Sequence, residues 1–259
     1  MRKRKWLIIG GLPLLLLVFL AWQLPAGWAL KAARSGNPDL SWSSATGSAW
    51  RGEAENVYWQ GLALGRINWR MRGLENPAEL LTNWEIRGES TQYHLDGRIS
   101  VAGGELRQLA GLRASLPAAW VDLSHAVPFV YLTGTLHLDL ETMDLRDGLP
   151  VRGRGKVRWL DAGLGGLVSE SLGDIEIDIT PPAAGVDDAL LLSLESLRQA
   201  DIGIGGSGSL QGNQYQLRIS LSISPDRADL LELIGPFGQV RQDGTIDFQW
   251  RGKLLPEDS

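Results

Sequence analysis

Over long stretches of this chain, apolar and polar side chains change places at every residue. Ile67, Trp69 and Met71 alternate with Arg66, Asn68, Arg70 and Arg72, and Tyr93, Leu95, Ile99 and Val101 with His94, Asp96, Arg98 and Ser100. Leu136, Leu138 and Leu140 interleave with Thr135, His137, Asp139 and Glu141, while Val157 and Trp159 oppose Arg154, Lys156 and Arg158. The same holds for Ile175, Ile177 and Ile179, for the odd-numbered residues from Tyr215 to Ile223, and for Ile246, Phe248 and Trp250. A period of two sends successive side chains to opposite sides of a sheet. One apolar side per strand, repeated seven times, predicts a mainly β, antiparallel domain with one face buried.

Helical patterns are few in this region. Ser224-Pro225-Asp226 reads as an N-cap, a first-turn proline and an early acid, followed by Leu230, Leu231, Leu233 and Ile234 and stopped by Gly235-Pro236. The spacing of Leu106, Leu109 and Leu112 predicts a second short helix from Glu105 to Leu116, and a third is expected from Pro77 to Thr82. These are expected to cap a β framework.

Gly47-Ser48-Ala49-Trp50 leads into Leu64-Gly65-Arg66-Ile67-Asn68-Trp69, and Gly134-Thr135-Leu136 leads into Gly153-Arg154-Gly155-Lys156-Val157-Arg158-Trp159. This loose echo reads as two related β halves, 31–128 and 129–252, within one domain spanning 31–252 and ending in a tail, 253–259.

The N-terminus departs from this alternation. Arg2-Lys3-Arg4-Lys5 runs into an apolar stretch from Trp6 to Trp22, long enough at about 1.5 Å per residue to cross a bilayer core as a helix. A single transmembrane helix is expected over 6–23, with 1–5 as a cytoplasmic tip, 24–40 as a connection and the β domain in the periplasm. Trp6, Trp22 and Trp28 sit where indoles favour the headgroup level. Gly27-Trp28-Ala29 offers a signal-peptide cleavage site, but the apolar run exceeds a typical signal core, which favours a retained anchor.

Composition narrows the chemistry. The net charge is −5 despite the basic tip, so the exported part is more acidic still and repels phosphate backbones; nucleic acid is not an expected partner. With no cysteine, disulfides, thiol nucleophiles and cysteine-ligated metals are excluded. Gly203-Ile204-Gly205-Gly206-Ser207-Gly208 fits the dinucleotide fingerprint by letter, but a strand follows it where a helix is required, so bending or bulging of a strand is the better account. His94, His125 and His137 show no metal-ligand spacing, and the Asp174, Glu176, Asp178 row and the Asp187-Asp188 pair read as solvated surface. No G-x-S-x-G elbow occurs. No catalytic, cofactor-binding or metal residue is assigned, and the tryptophans of the β region are expected to pack in the core, Trp69 and Trp159 above all.

Taken as an ordered set, several motifs resemble the type II secretion system protein N family over residues 8–250. They are the N-terminal apolar span with Leu24-Pro25-Ala26, the turn Gly47-Ser48-Ala49-Trp50-Arg51-Gly52-Glu53-Ala54 and the strand Leu64 to Arg70. The late Gly208-Ser209-Leu210, Tyr215-Gln216-Leu217 and Leu230 to Gly235 segments complete the set. Arg51 stands where the family usually has a small side chain. The resemblance implies a non-enzymatic inner-membrane accessory component of the machine that exports folded proteins across the outer membrane. Its implied partners are that machine's inner-membrane platform proteins. A competing reading is an AsmA-like anchored β-groove that binds or passes lipid. A lipid groove needs its apolar face uncovered, whereas a scaffold should close it with the Glu105 and Asp226 helices.

Overall fold

The protein is seen in a computed structural model, which describes residues 19–20, 22–36, 38–59, 62–91, 93–121, 130–166, 169–182, 189–197, 201–224, 226–227 and 238–254. A helix, α1, covers Ala26–Gly36. The first half of the β structure comprises β1 Ser44–Gly47, β2 Arg51–Trp59, β3 Leu62–Asn76, β4 Leu81–Glu89, β5 His94–Ala102 and β6 Glu105–Pro117. The second comprises β7 Val130–Arg146, β8 Leu149–Gly166, β9 Glu170–Thr180, β10 Ala189–Ser196, β11 Ile202–Gln211, β12 Gln214–Ile223, β13 Gln239–Val240 and β14 Ile246–Lys253.

All fourteen strands form one antiparallel sheet. From β1 to β12 the spatial order is the chain order; β14 then lies beside β12, with β13 outside it. Tight hairpins enforce this meander. Two residues join β7 to β8, Asp147 at φ 53° and Gly148 at φ 76°, and this pair of positive φ values matches the right-handed twist of the flanking strands.

Among the described residues no second sheet packs on this one. After Leu24 the helical elements among the described residues are α1, which meets β1 and β2, and a 3-10 turn at Ala118–Trp120, which meets β7. The accessible surface is 17404 Å², against about 11,200 Å² for a compact protein of this mass. Few large side chains are fully enclosed: Ile202 and Ile246 are, and the rest of the apolar face is mostly half-exposed. Two small clusters form its densest parts, one around Ala162, Leu172, Ile175 and Ile202, the other around Leu140, Met143, Leu190 and Leu210.

Several expectations need correction. Glu105 to Leu116 is strand, not helix: bulges in the β5–β6 ladder, one near Arg107 and one at Gly111 with φ 58°, each add a residue. The extra residues stretch a spacing of two into three, so Leu106, Leu109 and Leu112 share a sheet face while imitating a helix. Pro77 to Thr82 is a turn entering β4, held by the Asn76 side chain accepting from Ala78 N–H at 3.0 Å and by Leu80 at φ 52°. Helix α1 lies inside the 24–40 segment read as a connection. The expected helix beyond Ser224 and the expected span over 6–23 fall largely outside the described residues, as do His125 and Asp187-Asp188. No helix among the described residues is long and apolar enough to cross a membrane.

The proposed halves meet at β6 and β7, whose ladder runs from Gln108–Asp144 to Pro117–Thr135 as an ordinary antiparallel pair. Trp69 and Trp159 occupy comparable settings. Each donates its indole N–H to a backbone carbonyl at an irregular point earlier in the chain, Trp69 to Ala49 in the β1–β2 turn at 3.0 Å and Trp159 to Thr133 beside the β7 bulge at 2.7 Å.

Tyr93, buried at the β4–β5 turn, donates its hydroxyl to the Leu64 carbonyl and packs on Trp120 with ring centroids 5.3 Å apart. Burial disfavours the phenolate and pushes the phenol up to about 12. A raised value means the neutral form is the one the fold accommodates. The associated stability is intact below the ordinary tyrosine value of about 10 and is lost as pH rises toward about 12. An absorbance titration should show one tyrosine ionising in that late range, and Tyr93→Phe should remove the step.

Candidate functional site

The register shows how completely the two faces differ. From strand to strand, one line of paired positions runs Gly52, Trp69, Ile86 and Gly97 across β2 to β5. Beyond the β5–β6 bulge it continues as Leu112, Leu140, Gly155, Ile179, Leu192, Gly208, Leu217 and Trp250. No position on this line carries a charge.

The glycines in the line are seats for neighbouring side chains. A Cβ at Gly52 would lie 2.5 Å from the Trp69 ring, and one at Gly155 would lie 2.7 Å from the Leu140 side chain. Gly97 takes Leu112 in the same way, and Gly208 takes Leu217 more loosely. Glycine in a strand ordinarily weakens it; here a large cross-strand partner fills the gap and smooths the apolar surface. The fingerprint-like run Gly203 to Gly208 belongs to this arrangement. It lies within β11, which pairs with β10 and β12 without a register shift, so of the expected bend or bulge the bulge is absent.

At the β1 end the apolar face becomes aromatic. Trp50 stacks with Trp84, ring centroids 6.3 Å apart at 20°, and Trp69 lies beside them in the register. Trp69 and Trp159, expected in the core, lie partly buried on this face, and Trp159 packs against the buried cluster of Ala162, Leu172, Ile175 and Ile202.

The opposite face is a charge ladder. Arg87, Asp96, Arg113, Asp139, Lys156 and Asp178 are successive register partners alternating in sign across β4 to β9. The contacts include Arg87–Asp96 at 2.8 Å and Lys156–Asp178 at 3.4 Å. Each such cross-strand pair contributes roughly 0.2–1 kcal/mol, less where exposed. Glu176 is the most enclosed acid of the ladder. Hydrogen bonds from Lys156 and then Arg158 hold its carboxyl below the usual carboxylate range. A lowered value places its stabilising effect above the ordinary glutamate range and removes it as pH falls through the depressed one. Glu176→Gln should therefore destabilise the fold by about 1 kcal/mol near neutrality and by progressively less in acid, measurable by urea unfolding across that range.

His94 and His137 are exposed on this polar face, in register on either side of Ser115, with no hydrogen bond joining Ser115 to either. They border a depression of about 320 Å³ with Arg113, Lys156 and Arg158, cations already paired with Asp139, Glu176 and Asp178. Asp174, Glu176 and Asp178 do not converge: Asp174 is buried and accepts from Asp161 N–H at 3.0 Å, whereas Glu176 and Asp178 belong to the ladder. Among the described residues no three histidine or acidic side chains are placed to hold a metal ion. The arrangement offers two extended surfaces, one apolar and one internally neutralised.

Alternation foretold both faces, but not that no second layer among the described residues would cover the apolar one, or that glycines would complete it. The signal for the second point lies in pairs on neighbouring strands, glycine opposite a large residue, which no single segment displays.

Comparison with curated proteins and with solved structures gives no match. The family description "Type II secretion system (T2SS), protein N" matches residues 38–249, a stretch that begins before β1 and ends within β14. With most of the chain and nearly all of its sheet inside that match, the protein belongs to the type II secretion system protein N family.

Proposed function

We propose that this chain is a non-enzymatic accessory component of the type II secretion system, anchored in the inner membrane by residues 6–23 with its β domain in the periplasm. It would act through contacts with the platform proteins of that machine. The observation that carries this reading is the family match across nearly the whole sheet, and family membership implies an envelope location. Exposed Phe19, Leu20, Trp22 and Trp28, just before and within α1, suit residues facing a membrane and its headgroup layer. The two extended faces suit an interaction module.

Photo-crosslinkers placed at exposed polar-face positions, Arg113 and Arg218 among them, in the full-length protein within native membranes test this. Adducts with secretion-platform subunits are expected. Recovery of no secretion subunit from cells actively secreting through this system would overturn the reading.

A further inference from the structure

The expected capping helix at Glu105 is a strand, and what remains is a sheet face with no second layer among the described residues. We infer that this face takes up the acyl chains of membrane phospholipid, admitting them at its Trp50, Trp69 and Trp84 end and holding them across the strands.

Three observations carry the inference. The first is the nature of the surface. From Trp69 to Trp250 the line of paired positions offers no charge, and the backbone beneath it is committed to the ladder. A protein partner would find little there to hydrogen-bond, whereas a hydrocarbon chain asks for none. Glycine seats filled by neighbouring side chains leave a smooth track, and Leu192, Leu217 and Ile219 remain half-exposed along it.

The second is continuity with the N-terminal segment. Ala49 N–H donates to the Leu24 carbonyl at 2.7 Å, Pro25 bridges to Ser48, and Ala26 is 1% exposed. These contacts fix the segment bearing exposed Phe19, Leu20 and Trp22 to the β1–β2 tip. The next residue, Trp50, begins the aromatic end of the face. The segment proposed as the membrane anchor is therefore held beside the aromatic end of the sheet, with Gln23 the one exposed polar side chain between Trp22 and Leu24.

The third is charge. The polar face pairs its charges along the ladder, and the net negative charge of the chain disfavours nucleic acid and other anionic macromolecules as occupants, whereas an uncharged hydrocarbon chain is indifferent to it. With strands about 4.8 Å apart, the track from β3 to β14 extends about 50 Å, more than two acyl chains long.

This inference goes beyond the secretion assignment and does not require it. The test uses the full-length protein in vesicles of phosphatidylethanolamine and phosphatidylglycerol. Benzoylphenylalanine replaces Leu217 or Ile177 on the apolar face, or their polar-face neighbours Gln216 or Asp178, and Leu20 serves as the membrane-contact control. Mass spectrometry after irradiation should show phospholipid adducts at Leu217 and Ile177 on the order of tenfold above those at Gln216 and Asp178. A charge on the track, Leu192→Glu, should reduce the Leu217 adduct several-fold with the sheet's circular dichroism unchanged. If that variant misfolds, the paired-face comparison in the unmutated track still decides. Equal adducts on both faces, adducts only with protein or a second copy, or none where the Leu20 probe is labelled would each overturn the inference. Platform-subunit adducts on the polar face are a separate readout, so either proposal can fail alone.

Discussion

Replacing Trp69 with alanine is expected to lower the free energy of unfolding by about 3 kcal/mol, and Trp159→Ala by a similar amount. Each indole is partly rather than fully buried, which places the loss at the lower end for tryptophan truncation. Two further effects keep it from being smaller. The Ala49 and Thr133 carbonyls lose their donors, and Gly52 loses the ring lying over it, leaving a gap with no side chain on either side. Trp250→Ala supplies the contrast: that ring is 45% exposed, and its stacking partner Phe248, at 5.4 Å, stays in place. Its removal should cost about 1 kcal/mol. Urea unfolding followed by circular dichroism separates these cases. A loss below that of Trp250→Ala at either position would show that the indole packs without supporting the sheet.

Gly134→Ala should be more damaging than either. Gly134 sits at φ 94° at a register shift between β7 and β8, where a Cβ would stand 2.4 Å from both the Leu160 and Asp161 carbonyl oxygens. Those oxygens are backbone and cannot swing aside. The left-handed conformation and the collision together should cost about 4 kcal/mol, enough to abolish accumulation of folded protein. Gly205→Ala is the matched control: a Cβ there meets nothing within 4 Å, and the position lies in a regular part of β11. Alanine should be neutral or stabilising there by about 0.5 kcal/mol. Because Thr133, which accepts from Trp159, adjoins Gly134, the Gly134 and Trp159 changes should not add when combined.

These contrasts show what the sequence could and could not reveal. Where a strand is regular and its apolar positions carry large side chains, as in the Ile175 to Ile179 part of β9 or in β12, alternation alone identified both the strand and its two faces. In β6 the bulges turned the spacing helical, and in β11 Gly206 and Gly208 stand on the apolar face as blanks, because the atoms covering such positions come from other strands. In β10, consecutive Leu190, Leu191 and Leu192 hid the alternation by placing Leu191 on the polar side, where it is 42% exposed. That no second layer among the described residues covers the apolar face was beyond reach for a different reason. A half-buried strand has the same pattern whether its apolar side meets a helix, a second sheet or a hydrocarbon chain.

The unbroken chain-order meander also has a bearing on how such a sheet is made. From β2 to β12 every strand finds a partner already in place, the one synthesised just before it, and no strand must wait for a distant segment. Loop closure is correspondingly short, and a chain delivered N-terminus first can add one hairpin arm at a time to a growing edge. Interruption after any of these strands would leave a shorter ribbon with the same kind of open edge, so assembly is directional and its length is set by the number of strands delivered.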